Sequence, residues 1–344
     1  MKTRALKNYD SSVGVEVYDI DLNNDAEIEA LGRLVAEQNI VFIDQEITPV
    51  RLHTIMKSWG DYSKSIVHDY LHQHKLSGRH WRNITANLGY TTKHVEKDIS
   101  DAVTLVTYKY DRDGKPGGLF TEGELDWHQD QGSIDDSPRI IGLMSVSDSI
   151  NSQTKFLCTH DAYDSMSSSL QSEIKELYVR HKWFVGNVAP GLNDIQQNVV
   201  KYNLCALDGT ETRLYSESVT GLPGIKFPSY SFDGFVGMSQ EDSRKLYNEL
   251  KRHIFKEKWM YTQDWRDGQI VFMDQEITLH CRPTNVTHGS LRTMVRTITY
   301  WNKLFPDAKP YDLIRYNGKM LTRDEIISVI DQARLEEFAR EEFK

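Results

Sequence analysis

Two short stretches hold side chains whose types and spacing suit chemistry. In Glu124-Leu125-Asp126-Trp127-His128-Gln129-Asp130-Gln131-Gly132 an imidazole and a carboxylate stand two residues apart. On an extended segment, side chains at i and i+2 leave the same face, so His128 and Asp130 can bind one metal ion from one strand. A third ligand must come from elsewhere, and the best candidate is His280, in Phe272-Met273-Asp274-Gln275-Glu276-Ile277-Thr278-Leu279-His280. Two histidines and one carboxylate on one face of a metal, with the remaining positions open, form the arrangement associated with non-haem Fe(II) oxygenases. The His-x-Asp tripeptide alone is weak. With 12 histidines, about one occurrence is expected by chance in a chain of this size. Rival readings are a hydrogen-bonded pair in a turn, a non-catalytic jelly roll, and a zinc site built from the same three ligands.

Context adds to the pattern. On a strand, Arg292, Met294 and Arg296 share one face while Thr293, Val295 and Thr297 share the other. Two guanidinium groups facing a protein interior are costly without anionic partners. They either meet the carboxylates of a small-molecule ligand, which the planar fork of arginine matches, or reach the surface or pair with the chain's own acids. Cys281 beside His280 is read as a structural thiol, and His72-Gln73-His74 as part of a solvated loop.

The elements that must position these residues can be read in order. Ile28, Leu31, Leu34 and Val35 at helical spacing after Asn24 or Asp25 predict a helix over 25–39. A strand over 39–44 follows, then a helix opened by Thr48-Pro49 and ending near Trp59-Gly60. Residues 61–100 are polar and irregular, and the pattern then turns to strands over 102–110, 139–147 and 154–159 with the His128 segment between them. A helix is expected over 161–181, a loop-rich stretch over 186–235, and a capped helix from Ser239 to about 257. Strands resume over 269–274 and 292–301, and a charged amphipathic helix fills 322–344. Antiparallel segments with turn punctuation favour a sandwich or jelly roll. Val41-Phe42-Ile43-Asp44-Gln45-Glu46-Ile47-Thr48 nearly duplicates Val271 to Thr278, but the flanks disagree, so no internal repeat is read.

Composition narrows the function classes. The net charge of −9 over 344 residues, without blocks of one sign, argues against a nucleic-acid or anionic-membrane surface. No apolar run approaches a membrane span or a signal peptide, which leads to a cytoplasmic expectation. Three scattered cysteines suggest neither a disulfide framework nor a cysteine-rich zinc site.

Taken together and in order, the motifs resemble the TauD/TfdA family of Fe(II)- and 2-oxoglutarate-dependent dioxygenases. They are Val41-Phe42-Ile43-Asp44-Gln45 with the proline-started helix and Trp59-Gly60-Asp61, the His128 segment, Thr154 through Tyr163, Trp265 through Asp274, Leu279-His280, and Arg292 through Thr297. The resemblance runs from about residue 10 to 303. It implies an α+β chain with a double-stranded β-helix (jelly-roll) core and flanking helices, a single domain over 1–344 with 61–100 and 186–235 as lid or insert segments. It also implies Fe(II) held by His128, Asp130 and His280, with 2-oxoglutarate and O2 as cosubstrates. Thr154 and Arg292 would hold the far carboxylate of 2-oxoglutarate, and Arg296 an anionic group of the small-molecule substrate. A homo-oligomer is implied as well. Related halogenases lack the carboxylate ligand, so the presence of Asp130 makes hydroxylation the default outcome. Two departures stand out: Asn151-Ser152-Gln153 where the family usually has Gly-Gly-Asp, and Gln275-Glu276 where it commonly has Asn-Arg. The acid at 276 would favour a cationic group on the substrate.

Overall fold

The computed structural model describes residues 1–63, 103–107, 125–134, 138–182, 208–229, 231–283, 292–308 and 310–329. The opening follows the sequence pattern closely. Helix α1 (Asp25–Gln38) starts at Asn24, whose side chain accepts the Ala26 and Glu27 N–H groups, and stops at Asn39 in the left-handed region. Helix α2 (Pro49–Trp59) is capped by the Thr48 hydroxyl, with Pro49 in the first turn where its missing N–H costs nothing.

The strands are β1 (Lys2–Ala5), β2 (Val15–Tyr18), β3 (Ile40–Asp44), β4 (Val103–Thr107), β5 (Leu125–His128), β6 (Arg139–Ser147), β7 (Gln153–Cys158), β8 (Tyr178–His181), β9 (Glu211–Arg213), β10 (Tyr215–Glu217), β11 (Pro223–Ile225), β12 (Phe232–Phe235), β13 (Tyr261–Asp264), β14 (Gln269–Asp274), β15 (Thr278–Arg282) and β16 (Thr293–Tyr300), followed by a short C-terminal hairpin. Two sheets matter for the site. The larger has the order β1-β2-β3-β14-β6-β16-β4 and the smaller β13-β7-β15-β5. The near-duplicate segments now have a physical reason. Strands β3 and β14 are antiparallel neighbours, Val41 opposite Phe272 and Phe42 opposite Val271. Both run through a sheet covered on both faces, which selects continuous apolar runs.

Alternate residues of the large sheet feed two cores. Val41, Ile43, Ile140, Met144, Ile270, Phe272 and Val295 pack against α1 and α2. Ile40, Phe42, Ile141, Leu143, Val271, Met273, Met294 and Ile298 face the small sheet, where they meet Phe156 and Cys158. The Phe42 and Phe156 rings, one from each sheet, cross edge to face at 5.3 Å. Each such side chain removed from water contributes about 1.5–3 kcal/mol, so this middle layer fixes the separation of the two sheets. Behind the small sheet, Trp127, Leu157, Leu279 and Cys281 pack with Leu250 and Ile254 of the helix Gln240–Ile254.

Two expectations need correction, and a third is met as far as the described residues reach. The helix read over 161–181 is two helices, His160–Asp164 and Ser168–Glu176, followed by strand β8, because Ser167 takes the Leu170 N–H and restarts the helix. The described part of the stretch read as loop-rich contains β9 to β12, three or four residues each, too short to show periodicity. The C-terminal helix does begin at Thr322, whose hydroxyl accepts the Glu325 N–H while the Glu325 carboxylate takes the Thr322 N–H. It is described as Arg323–Val329, and 330–344 lie outside the described residues. Among the described residues no helix is long and apolar enough to cross a membrane.

Trp59-Gly60-Asp61 joins α2 to the end of β16. The Trp59 indole donates to the Ile28 carbonyl at 3.0 Å and stacks on Trp301, and Asp61 bonds Asn302. A Cβ on Gly60 would sit 1.7 Å from the Tyr300 carbonyl oxygen, a clash with backbone that no rotamer relieves. Gly60→Ala should therefore lower stability by about 1–3 kcal/mol or more, read as a drop in the urea or thermal midpoint. An unchanged midpoint would mean this approach is not close in solution.

Candidate metal centre

The register of the small sheet assembles the site. His280 on β15 lies directly opposite His128 on β5 and Phe156 on β7, and Phe156 lies opposite Tyr261 on β13. Directly opposed residues share a face, so one row across the sheet reads Tyr261, Phe156, His280, His128. Phe156 belongs to the core between the sheets, which makes this the inner face. Thr154, two positions along β7, lies on that face in the next row. Cys281 alternates to the other face and packs behind the sheet, a structural thiol and not a fourth ligand.

Asp130 follows β5 and turns its carboxylate back toward the imidazoles. One ligand-capable atom from each of His128, Asp130 and His280 lies within 4.8 Å of the others. The His128 Nε2 to Asp130 Oδ1 distance is 3.6 Å, and the two imidazole centroids are 4.3 Å apart. The His128 Nδ1 lies 2.7 Å from the Asp126 carbonyl. A carbonyl only accepts, so Nδ1 carries the proton and Nε2 presents its lone pair. Arg296 Nη1 donates to Asp130 Oδ2 at 2.7 Å, which leaves Oδ1 on the imidazole side.

Electrostatics prepare these groups for a cation. Burial pushes the Asp130 carboxyl up, but Arg296 and the two imidazoles outweigh it and hold Asp130 well below the usual carboxylate range. Burial, then the neighbouring His128, push the His280 imidazole down to about 3. An ionised carboxylate beside a neutral imidazole is the protonation state that metal binding requires. Among the described residues the buried His280 Nδ1 has no hydrogen-bond partner, and the donor set of two imidazoles and one carboxylate suits Fe(II).

Of the other anticipated residues, Thr154 is buried and its Oγ1 accepts the Trp265 indole N–H at 2.9 Å, which leaves its own hydroxyl hydrogen to donate. Arg292 is buried immediately before β16. Arg296 engages the Asp130 carboxylate, so its guanidinium already has one of the chain's own acids as partner. His72 and His74 lie outside the described residues.

Several residues around the centre escaped the sequence reading. Gln275 Oε1 accepts the Asp130 N–H at 2.9 Å, and Gln129 Nε2 donates to the Glu276 carbonyl at 3.0 Å. The buried Arg139 guanidinium holds the Gln131 side chain at 3.0 Å and the Gln131 and Ile134 carbonyls at 3.2 and 3.1 Å. Glu276 does not offer a free charge to a substrate: its carboxylate is buried against Lys226 Nζ at 2.9 Å. Removing one partner of such a pair costs about 3–5 kcal/mol. The departure at Gln275-Glu276 was the only signal in the sequence.

The model of the family described as taurine catabolism dioxygenase TauD, TfdA matches residues 2–298. Among curated proteins the chain is 23% identical over 190 residues to pentalenolactone F synthase of Streptomyces arenae, a match covering 52% of this chain and 62% of that protein's length. Among solved structures it is similar to a taurine dioxygenase from Burkholderia xenovorans, with a TM-score of 0.58, 16% identity, and coverage of 93% of this chain and 94% of the other. It is also similar to AAD-2 in complex with Mn(II) and N-oxalylglycine, with a TM-score of 0.61, 18% identity, and coverage of 87% and 97%. At these identities the structural likeness establishes the fold.

Asp274, next to the turn that supports Asp130, provides a pH test. Burial, then Glu276, push its carboxyl from 3.8 up to about 7. The folded state thus favours the protonated acid, and that contribution, complete below about 4, is lost as pH rises to about 7. Asp274→Asn keeps an acceptor for the Glu276 and Ile277 N–H groups, which Oδ1 now receives at 2.8 and 3.1 Å. Urea unfolding should show the variant gaining on the wild type between pH 4 and 7. Parallel stability profiles would mean that Asp274 ionises normally.

Proposed function

We propose a reaction from one premise: this chain belongs to the taurine catabolism dioxygenase TauD, TfdA family and is a 2-oxoglutarate-dependent dioxygenase. The reaction is the hydroxylation of an unactivated C–H bond of a small polar or charged organic molecule, dependent on Fe(II). The observation that carries it is the convergence of His128, Asp130 and His280, with Arg296 keeping the acid ionised. The two facing sheets are read as a double-stranded β-helix core. That a protein of similar fold is seen with Mn(II) and N-oxalylglycine supports a metal and a small anion at the corresponding place.

When bound, Fe(II) and 2-oxoglutarate supply the oxidation: one atom of O2 enters succinate as CO2 leaves, and the other enters the substrate as hydroxyl. The chain's part is to bind and orient. His128 and His280 offer imidazole nitrogens and Asp130 one charged oxygen, leaving the other metal positions to ligands that are not protein. The Thr154 hydroxyl and the Arg292 fork hold the far carboxylate of 2-oxoglutarate through charge-assisted hydrogen bonds. An anionic substrate group that reaches Arg296 shares it with Asp130. The middle apolar layer keeps bulk water from the inner face, which strengthens each of these contacts.

A screen of small carboxylates, sulfonates, phosphonates and amino acids for substrate-stimulated succinate release, with Fe(II) added, tests this reading. No stimulation by any member, together with unchanged succinate formation in Asp130→Ala, would overturn it. Arg292→Leu should raise the KM for 2-oxoglutarate by about 10- to 100-fold, the worth of hydrogen bonds to a charged group, with little change in the KM for the primary substrate. The opposite pattern would move Arg292 to the substrate side.

A further inference from the structure

The turn joining β14 to β15 takes no part in the roles above, yet it holds the Asp130 segment from behind. The Asp130 N–H meets the Gln275 side chain at 2.9 Å. A backbone N–H can only donate, so the amide oxygen must face it, and the orientation of the Gln275 side chain is settled by chemistry. The Glu276 carbonyl receives Gln129 Nε2 at 3.0 Å. Both residues flanking the Gln129–Asp130 peptide therefore take their positions from this turn.

The turn is held by Asp274 Oδ1, which accepts the Glu276 and Ile277 N–H groups, and by a buried ion pair. The Glu276 carboxylate meets Lys226 Nζ at 2.9 Å and Ser216 Oγ at 3.2 Å. Lys226 and Glu276 are 2% and 3% exposed, and Gln275 is 1% exposed. Ser216 and Lys226 both come from the β10–β11 hairpin and the residue after it. Gly224 lets that hairpin approach, since a Cβ there would lie 2.6 Å from the Ile277 side chain. Replacing a buried ion pair by apolar residues of similar volume is often neutral or stabilising. The charges are therefore of use chiefly for direction: an ion pair with a further hydroxyl donor fixes the carboxylate, and with it the peptide, in one place.

We propose that Gln275 and the buried Lys226–Glu276 pair are positioning residues of the metal centre: the pair sets the turn, and Gln275 sets the Asp130 backbone. The proposal rests on the reading of His128, Asp130 and His280 as a metal site. Groups behind a metal ligand typically contribute about 10- to 100-fold to metal affinity.

Co(II), whose visible bands report coordination geometry, is the probe. Wild type, Asp130→Ala, Gln275→Met, Lys226→Met and the double variant Lys226→Met/Glu276→Met are titrated anaerobically, and each is melted without metal to confirm that it is folded at the assay temperature. Gln275→Met and the double variant should bind Co(II) about 10- to 100-fold more weakly, with displaced bands. The double variant should melt above Lys226→Met, since it leaves no uncompensated buried carboxylate. If Lys226→Met does not fold, the other two variants decide. Wild-type affinity and band positions in folded Gln275→Met and in the double variant would overturn the proposal while leaving the metal site intact. A wild-type protein that gives no Co(II) bands, or an Asp130→Ala that binds like it, would remove the metal-site reading and the proposal with it.

Discussion

A metal centre of this type needs an ionised carboxylate next to two neutral imidazoles in a place with little water, and burial opposes the first of these. The Arg296–Asp130 contact at 2.7 Å resolves the conflict. Desolvation pushes the Asp130 carboxyl toward its protonated form, which binds metal poorly, and Arg296 is foremost among the groups that offset it. With the contact made, Oδ2 is occupied and charged, and Oδ1 is left on the side of His128. The contact also bridges the two sheets, because Arg296 stands on β16 of the large sheet and Asp130 follows β5 at the edge of the small one. Its length is therefore a property of the whole sandwich.

The spacing of that sandwich is held by the apolar layer in which Phe42, Met273 and Met294 meet Phe156 and Cys158. Strand β16, which buries Met294 and Ile298, presents Arg296 on the same inner face, and β15, paired with β7, presents His280 opposite Phe156 there. On the small sheet the register does the remaining work: with His280 opposite His128, the two imidazoles are neighbours before any ion arrives. The Asp126 carbonyl turns the lone pair of His128 inward, and Arg139, Gln275 and the Glu276 carbonyl tie down the segment 129–134. A candidate metal ligand on a loop is thus held as firmly as one on a strand.

How much of this was legible in the sequence depended on the range of each interaction. Helices α1 and α2 and strands β3, β6 and β14 announce themselves through periodicity and caps that act within a few residues, such as Asn24, Thr48 and Pro49. The face shared by Met294 and Arg296 follows from strand alternation once a strand is granted. The break at Ser167 was missed because the apolar spacing of Leu170, Ile174 and Leu177 continues a helical pattern that the Ser167 cap restarts. The role of Glu276 was misread for a different reason: its partner Lys226 lies 50 residues away on a hairpin whose strands are three residues long, and nothing local connects them. Arg296 was anticipated as facing an anion, but which anion depends on how two sheets pack.

The central claim is that His128 and His280, paired by the sheet register, and Asp130 beside them hold iron that the keto acid chelates. The most direct measurement is the visible absorption of the protein on anaerobic addition of Fe(II) and then 2-oxoglutarate. The account predicts a weak charge-transfer band that needs both additions and is lost in His280→Ala. A mixture that stays colourless with the folded wild-type protein would contradict it.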